Sequence, residues 1–186
     1  MQKVKLAEIA NVKTGYFGKP GANGRLAYLQ VRDFTENGQL LDKYLDFIEH
    51  TKGAEKHVLK PNDIIFAAKG TKNFAIMIKE SDLPAVASTS FFRIRLQDIK
   101  IMPEFLTWYL NYSATKSELK AMAFGSAIPS IPLNELENLE IPILKKEKQL
   151  HIIHLVRLQS REKEIMQEII ELKKQINNYY TTKILK

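Results

Sequence analysis

The residues of this sequence with side chains suited to catalysis lack the neighbours that catalysis requires. The arrangement most like a nuclease site is Asp63 followed by Lys69. A metal-dependent nuclease would place a second carboxylate beside the lysine to hold the divalent ion, but Ala67 stands there. His151 and His154 are spaced to share one helix face, yet two histidines without a nearby carboxylate or cysteine make a poor metal site. We therefore predict neither a catalytic centre nor a metal site.

The segment Ser88–Ser90 offers hydroxyl groups, but no histidine lies near it in sequence to activate one as a nucleophile. The sequence also lacks the glycine-rich nucleotide-binding motifs and the G-x-S-x-G elbow. These absences favour a binding function over an enzymatic one. We expect the chain to be non-catalytic and to bind no cofactor itself.

Three loops combine small residues, hydroxyl groups and cations in a way that suits DNA. Glycine lets the backbone approach a phosphate closely, lysine neutralises the phosphate, and Ser, Thr or Asn side chains can also reach base edges. Each loop by itself is more simply an ordinary solvated turn, but the three together, without a catalytic alternative, favour DNA binding. The loops are Lys13–Lys19, Lys69–Asn73 and Gly125–Ser130.

We predict that these loops contact DNA together with two arginines that could bond guanine bidentately and a pair of hydroxyl residues. The foremost candidates are Lys69, Thr71, Lys72, Ser126 and Ser130. The full predicted set is Lys13, Thr14, Tyr16, Lys19, Arg25, Arg32, Lys69, Gly70, Thr71, Lys72, Asn73, Ser88, Thr89, Gly125, Ser126 and Ser130.

The elements that must position these loops read mostly as strands in the first half of the chain and helices in the second, which is typical of the α+β class. The near-helical spacing of apolar residues in Leu6–Val12 predicts a short first helix. Asn37–Gly38 predicts a hairpin turn. Residues 90–96 alternate apolar and basic side chains, which predicts a half-exposed strand. We expect a globular domain with a twisted, mixed or antiparallel sheet.

The last quarter of the chain predicts one long helix, because residues 145–184 contain no Gly and no Pro. With Leu155 at position a of a heptad, seven of the eight a and d positions are apolar, which is the narrow seam of a coiled coil. A helix of about 40 residues spans roughly 60 Å, so it needs a partner to cover its seam. The predicted interface residues are Leu155, Leu158, Glu162, Ile165, Ile169, Leu172, Ile176 and Tyr179.

Much of the positive charge lies in this predicted helix. The net charge of the chain is +7, and residues 145–186 hold 10 Lys or Arg against 5 Asp or Glu. A basic chain permits nucleic acid or acidic proteins as partners. The apolar runs fall far short of the ~20 residues of a membrane span, no secretory signal is visible, and there is no cysteine for a disulfide. We expect a cytoplasmic protein that does not associate with membranes.

Five segments that follow one another along the chain match the pattern of a known family. They are Lys5–Ala10 with Thr14–Gly15, Leu59–Gly70, Ala85–Phe92, Pro103–Leu110, and Gly125–Ile131 with Leu136–Pro142. In this order they resemble the specificity subunit of type I restriction-modification systems, and the long helix stands where that family has its conserved spacer helix. Residues 143–149 depart from the Pro-Pro and Glu-Glu-Gln pattern through which the family enters that helix.

The resemblance implies a half-length specificity subunit. The full subunit of that family has two units in tandem, each a target-recognition domain followed by a spacer helix, and its two helices pair antiparallel. This chain shows one unit, so it would restore that layout as an antiparallel homodimer, with residues 1–144 as the recognition domain and residues 145–186 as the spacer and dimerisation helix. Arg161 and Glu168 both fall at g positions and could form an ion pair across the dimer.

The resemblance also implies the partners. Two identical domains related by a two-fold axis would read a bipartite, palindromic site in double-stranded DNA. A modification methyltransferase subunit would bring S-adenosylmethionine, and a restriction subunit that uses ATP and Mg can add translocation and cleavage. The chain itself would bind none of these cofactors.

Two other classes of function are weighed against this one. A coiled-coil adaptor would dimerise without binding duplex DNA, even with its partners present. A self-contained DNA enzyme would need a carboxylate cluster assembled from Asp63, Glu80 and Asp82, and it would cleave DNA in a metal-dependent reaction without other subunits.

Overall fold

The structure is a computed structural model that describes residues 2–21, 24–41, 46–123 and 129–185. The described strands are β1 (Lys3–Lys5), β2 (Ala10–Thr14), β3 (Leu26–Leu29), β4 (Phe47–Ile48), β5 (Ile64–Ala67), β6 (Ala75–Met77), β7 (Ala85–Ala87), β8 (Phe91–Leu96) and β9 (Glu140–Pro142). The described α-helices are α1 (Leu6–Ile9), α2 (Lys52–Glu55), α3 (Pro103–Asn111), α4 (Ser113–Ala121), α5 (Leu133–Asn138) and α6 (Lys146–Ile184). The predicted α+β class is confirmed. The chain divides into two compact units, Met1–Gln149 and Leu150–Lys186.

The larger sheet in the described part of the first unit has four strands in the order β2-β8-β5-β6, each antiparallel to its neighbours. β8 is an interior strand. Thr14 at the end of β2 pairs with Phe92, and Ala67 at the end of β5 pairs with Phe91. The carboxyl ends of β2 and β5 and the amino end of β8 therefore lie at the same edge of this sheet.

The predicted strand at residues 90–96 is confirmed as β8, but the expected exposure of its polar face is wrong at Arg93. The apolar face of β8 is buried as expected, but Arg93 on its other face is only 7% exposed. The Arg93 guanidinium donates to Asn11 Oδ1 at 2.9 Å, and the next arginine on this face, Arg95, is bonded to Asp63. Because β8 is an interior strand, its neighbours β2 and β5 supply these polar partners. Alternation of residue types cannot reveal such partners.

β1 and β9 form a separate antiparallel pair. A three-stranded sheet, which we call the smaller sheet, has the described order β4-β3-β7, in which β3 and β7 are parallel. Side chains on one of its faces, including Leu29 and Ala87, join Ile65 and Phe91 of the larger sheet in one apolar core. Side chains on its other face form a second cluster, which includes Ala54 of α2. This sheet is therefore packed on both faces, with the larger sheet on one side and α2 on the other.

Two local predictions have different outcomes. The predicted helix at Leu6–Val12 is only partly correct, because α1 ends at Ile9 and the chain continues as β2. The ladder of hydrogen bonds between β2 and β8 overrides the helical spacing of three apolar residues. The turn at Asn37–Gly38 is confirmed, since Gly38 has a φ of 77° and Thr35 N donates to Gln39 O at 2.8 Å.

A buried glutamine anchors the first turn of α6. Gln149 Oε1 accepts a hydrogen bond from Met102 N at 2.8 Å. Its Nε2 donates to Lys100 O at 2.7 Å and to Leu144 O at 2.9 Å. These bonds satisfy backbone groups of the 100–102 segment and of the residues that lead into the helix. The entry to α6 therefore has polar contacts even though residues 143–149 depart from the family pattern.

The long C-terminal helix is confirmed, with 39 residues in α6. The apolar side chains at the predicted a and d positions are all exposed, from 42% at Ile165 and Ile169 to 63% at Tyr179. Arg161 pairs with Glu164 of the same helix at 3.1 Å. Although α6 is long, neither it nor any other helix in the described ranges is apolar enough to cross a membrane. Its exposed apolar side chains form a stripe along the second unit, as an unpaired coiled-coil strand would.

Candidate nucleic-acid interface

Several segments of the predicted DNA-binding set meet at one end of the larger sheet. We use the name loop edge for this end, formed by residues 13–16, 68–73, 88–91 and 129–131. β2 and β5 run in the same direction and end here, and β8 runs in the opposite direction and begins here. The loops that leave β2 and β5 must therefore lie beside the turn that enters β8.

The loop after β2 is tied to the turn before β8. Gly15 N donates to Phe91 O at 2.9 Å, and Tyr16 N donates to Ala87 O at 2.8 Å. Tyr16 also forms a parallel bridge with Ser88. A Cβ atom at Gly15 would lie 2.1 Å from Ser88 O, so this close approach of two backbone segments requires glycine.

The loop after β5 is tied to the segment before α5. Lys69 forms an antiparallel bridge with Ser130, and Gly70 N donates to Pro129 O at 2.8 Å. Gly70 adopts a φ of +90°, in the left-handed region that favours glycine, and has open space where a Cβ would lie. The loop after β5 therefore lies beside residues 129 and 130, the described end of another candidate loop.

Two predicted DNA-binding residues of this loop have hydrogen-bond partners within the fold. Asn73 is buried, and its Nδ2 donates to Ala67 O at 3.0 Å. Lys72 is half-buried, and its Nζ donates to Phe34 O at 3.2 Å. Both side chains brace the return of the chain into β6, whereas Lys69 and Thr71 are exposed. The outer surface of this loop therefore consists of Lys69, Gly70 and Thr71.

The other predicted residues at or beside the loop edge differ in exposure. Lys13 and Thr14 are exposed, Thr89 is half-buried, and Ser88 is buried. Lys19 is exposed and lies further along the loop that begins at Gly15. The hydroxyl of Ser88 is therefore poorly placed for DNA, and Thr89 is the more accessible of the hydroxyl pair.

The two predicted guanine-reading arginines lie at opposite ends of β3. Arg32 follows the end of β3 that meets the loop edge, because Ser88 N donates to Leu29 O at 2.9 Å. Its guanidinium is paired with the Asp46 carboxylate. Arg25 precedes β3, and its backbone N donates to Ile48 O at 3.0 Å. The structure thus separates Arg25 from the loop edge. The predicted residues Gly125 and Ser126 lie outside the described residues.

The interior strand β8 carries two arginines, of which Arg93 is buried and Arg95 is half-buried. Burial lowers the pKa of Arg93, and the positive charge of Arg95 lowers it further. The pKa of Arg95 is raised, chiefly by its hydrogen bonds to Asp63. Both groups still carry positive charge at neutral pH. Lys13 pairs with Arg93 in the β2–β8 register. Positive charge therefore lies on both the interior strand β8 and the neighbouring edge strand β2.

The geometry around Asp63 does not resemble a nuclease site. Both carboxylate oxygens of Asp63 accept hydrogen bonds from Arg95, and Oδ2 also accepts one from Lys60 N at 2.8 Å. The described part of the chain contains no group of three His, Cys, Asp or Glu side chains placed to hold a metal ion. The exposed residues of the loop edge offer hydroxyls and lysines, which suit binding of a phosphate backbone.

Sequence reasoning passed over one exposed residue beside the loop edge. Phe17 follows Tyr16 and is 75% exposed. Its signal in the sequence is an aromatic side chain in a loop otherwise made of small, polar and basic residues, between Gly15 and Gly18.

An α+β domain with such a loop edge, followed by a long helix, is the arrangement that the sequence resemblance implies. A family model described as "Type I restriction modification DNA specificity domain" matches residues 1–179. The chain therefore belongs to the family of type I restriction-modification DNA specificity domains. No curated protein sequence matches it significantly.

Solved structures of type I specificity subunits share this fold. The S subunit from M. genitalium has 19% identity and a TM-score of 0.63, with 96% of this chain and 44% of that chain covered. The HsdS subunit from Thermoanaerobacter tengcongensis has 19% identity and a TM-score of 0.64, with 86% and 37% covered. A structure described in terms of complex assembly of the type I R-M system has 18% identity and a TM-score of 0.62, with 86% and 38% covered. This chain thus spans less than half the length of each of these three chains.

Proposed function

We propose that this chain is a non-catalytic DNA specificity subunit that pairs with a second copy through antiparallel α6 helices. Each copy would read one half of a bipartite, palindromic site in double-stranded DNA. The observation that carries this proposal is the meeting of loops from distant parts of the sequence at the loop edge, in a chain of the specificity-domain family.

Specific reading of DNA needs both phosphate contacts and contacts to base edges. The exposed lysines Lys13 and Lys69 supply positive charge for phosphates, and Gly70, which follows Lys69, has no side chain to obstruct a phosphate. Thr14, Thr71 and the accessible parts of Thr89 and Ser130 supply hydroxyls that can donate to or accept from base edges. We propose these residues as the DNA-contacting surface, with Lys19 and Arg32 at its margins.

The exposed seam of α6 supports pairing of two copies. Seven apolar side chains at a and d positions lie open to solvent in the single chain, and a partner helix would cover them. In an antiparallel pair, Arg161 of one copy would face Glu168 of the other, in competition with its bond to Glu164 in the same helix. An exposed ion pair of this kind contributes only about 0.2–1 kcal/mol, so it would mainly help to select the register.

The partners follow from the same proposal. A modification methyltransferase subunit would dock on the dimer and supply S-adenosylmethionine, and a restriction subunit would supply ATP- and Mg-dependent translocation and cleavage. The third structural match comes from work on complex assembly of the type I R-M system, and this supports the expectation of partner subunits. The residues of this chain would choose the DNA sequence and hold two readers at a fixed separation.

Selection from a random DNA library tests the proposal. The full chain is purified with its co-expressed methyltransferase subunit, and bound or methylated duplexes are sequenced. Two inverted copies of one half-site, separated by a gap of constant length, are the expected product. An asymmetric target would contradict the homodimer, and binding without sequence preference would contradict the specificity function. A stable dimer that binds no duplex with the methyltransferase present would instead support an adaptor.

A further inference from the structure

Phe17 is an exposed aromatic residue on a loop that is firmly held on both sides. On its N-terminal side, Tyr16 N donates to Ala87 O at 2.8 Å. The hydroxyl of Tyr28 donates to Tyr16 O at 3.0 Å and accepts from Gly18 N at 3.3 Å. Tyr28 itself is buried. The backbone before and after Phe17 is therefore bonded to the smaller sheet, so the Phe17 ring is exposed although its loop is held in place.

The ring of Phe17 is mostly exposed to solvent. At 75% exposed it leaves most of its surface in water, which is unfavourable for a phenyl group. The ring before it, Tyr16, is covered through its contact with His57, with centroids 5.4 Å apart. Gly18 cannot cover Phe17, because it has no side chain. The loop thus projects one apolar ring outward and keeps its other aromatic ring against the domain.

The surroundings of Phe17 indicate a partner that is both anionic and apolar. Lys13 precedes Phe17 in the sequence and Lys19 follows it, and both lysines are exposed. Tyr16 forms a bridge with Ser88 at the loop edge. A duplex presents phosphates on its outside and apolar base faces between its base pairs. Proteins that exploit both place a Phe, Leu, Ile, Met or Pro side chain between two base pairs while basic residues hold the backbone.

We propose that Phe17 is a wedge that inserts between two adjacent base pairs within or beside each half-site, while Lys13 and Lys19 hold the flanking phosphates. This inference rests on the proposed DNA specificity function and goes beyond it by naming the residue that deforms the duplex. Pyrimidine–purine steps unstack most easily, so the half-site carries a preference for such a step at the wedge even where no side chain bonds to its bases.

Fluorescence of 2-aminopurine tests the wedge in the complex of the full chain with its methyltransferase. The probe replaces adenine at successive positions of the selected target duplex, and its fluorescence rises where stacking is lost. Wild type raises the fluorescence at one step of each half-site. Phe17→Ala abolishes that rise and weakens cognate binding about tenfold, with an unchanged dependence of affinity on salt. Phe17→Trp retains both properties.

Phe47→Ala is the matched control, because Phe47 is also a partly exposed phenylalanine, at 43%, but lies on the short strand β4. It leaves the fluorescence and the affinity unchanged. Wild-type fluorescence and affinity in Phe17→Ala would overturn the wedge and leave the specificity function intact. Loss of the methyltransferase from purified Phe17→Ala, with DNA binding restored by excess methyltransferase, would overturn it in favour of a protein contact. A wild-type complex that binds no duplex would overturn the proposed function itself.

Discussion

Asp63 and Arg95 form a bidentate ion pair between the turn before β5 and the interior strand β8. Arg95 Nε and Nη2 each donate to one carboxylate oxygen of Asp63 at 2.6 Å. The Asp63 side chain is 1% exposed, and that of Arg95 is 31% exposed. The carboxylate that stands nearest in sequence to a nuclease pattern is therefore committed to holding two parts of the fold together.

Replacing Arg95 by methionine keeps much of its aliphatic bulk but leaves the Asp63 carboxylate buried without its counter-charge. We expect the free energy of unfolding to fall by about 2–4 kcal/mol, because an unpaired buried charge costs more than the pair contributes. Urea unfolding of the purified chain measures this loss. Asp63→Asn in the Arg95→Met background should restore part of the stability, since it removes the unpaired charge. An Arg95→Met protein as stable as wild type would show that water already compensates Asp63.

Lys69→Ala should weaken binding to all duplex sequences and lower the slope of log affinity against log salt by about one phosphate contact. The reason is that Lys69 is an exposed cation on the outer surface of the loop edge. Fluorescence anisotropy over a salt series measures the slope. Lys79→Ala is the control, because Lys79 is exposed after β6, at the end of the sheet away from the loop edge. Equal slopes in wild type and both variants would exclude Lys69 from the interface.

Leu172→Lys should dissociate the proposed dimer, because it places a charge in the apolar seam of α6 at a d position. Light scattering during size-exclusion chromatography measures the change in mass. Gln167→Lys adds the same charge at an f position, on the opposite face of the helix, and should leave the mass unchanged. Glu162→Leu should tighten the dimer by removing the charged residue at an a position. A wild-type chain that stays monomeric at working concentrations would contradict pairing through α6.

Gln149→Ala should destabilise the first unit by about 2–4 kcal/mol. The substitution removes the partners of three backbone groups, at Lys100, Met102 and Leu144, around a fully buried side chain. Urea unfolding compares it with Lys148→Ala, a neighbouring exposed residue that should behave as wild type. If Gln149→Ala and Lys148→Ala both have the same free energy of unfolding as wild type, water replaces the Gln149 amide and its hydrogen bonds contribute little to stability.

Asp33 should give the fold a dependence on pH. The residue is buried, Oδ2 accepts from Gln30 N at 2.7 Å, and Oδ1 has no hydrogen-bond partner within the described residues. Burial raises the pKa of Asp33 above its usual value. The folded state thus binds this proton more tightly than the unfolded state, so stability is present below the unfolded pKa and is lost as pH rises through the folded pKa.

Asp33→Asn removes the titratable carboxyl group and keeps an oxygen that can accept the hydrogen bond from Gln30 N. The stability of wild type relative to Asp33→Asn should therefore fall as the pH is raised from about 4 to about 7. Thermal unfolding of both proteins across this range provides the comparison. A difference that stays constant with pH would show that Asp33 titrates alike in the folded and unfolded chains.

The local elements were largely predictable, and the exceptions have a common cause. The Asn37–Gly38 turn and the long C-terminal helix depend on residues close in sequence, and both are present. The chain after Ile9 departs from its helical spacing because the pairing of β2 with β8 decides its conformation. Burial of Arg93 escaped prediction for a related reason, since its partner Asn11 comes from another strand.

The candidate site was predictable as residue types but not as a surface. Glycine, lysine and hydroxyl residues marked the loops after β2 and β5. Whether each side chain faces solvent was not predictable, as Asn73 and Ser88 show. The exposure of Phe17 depends on the bonds of Tyr28 to the backbone on both sides of it.

The sequence by itself determined the family, the α+β class and the long helix with its apolar seam. A helix bonds residues four apart in sequence, so local sequence is enough to predict it. The absence of Gly and Pro indicates that the helix is continuous, and the spacing of its apolar residues reveals the heptad. Only the tertiary structure decided that Lys69 lies beside Ser130 and that Gln149 anchors a segment 47 residues earlier in the chain. Such contacts arise when strand pairing and core packing bring distant segments together. A local pattern of residues cannot predict which distant backbone group a side chain will contact.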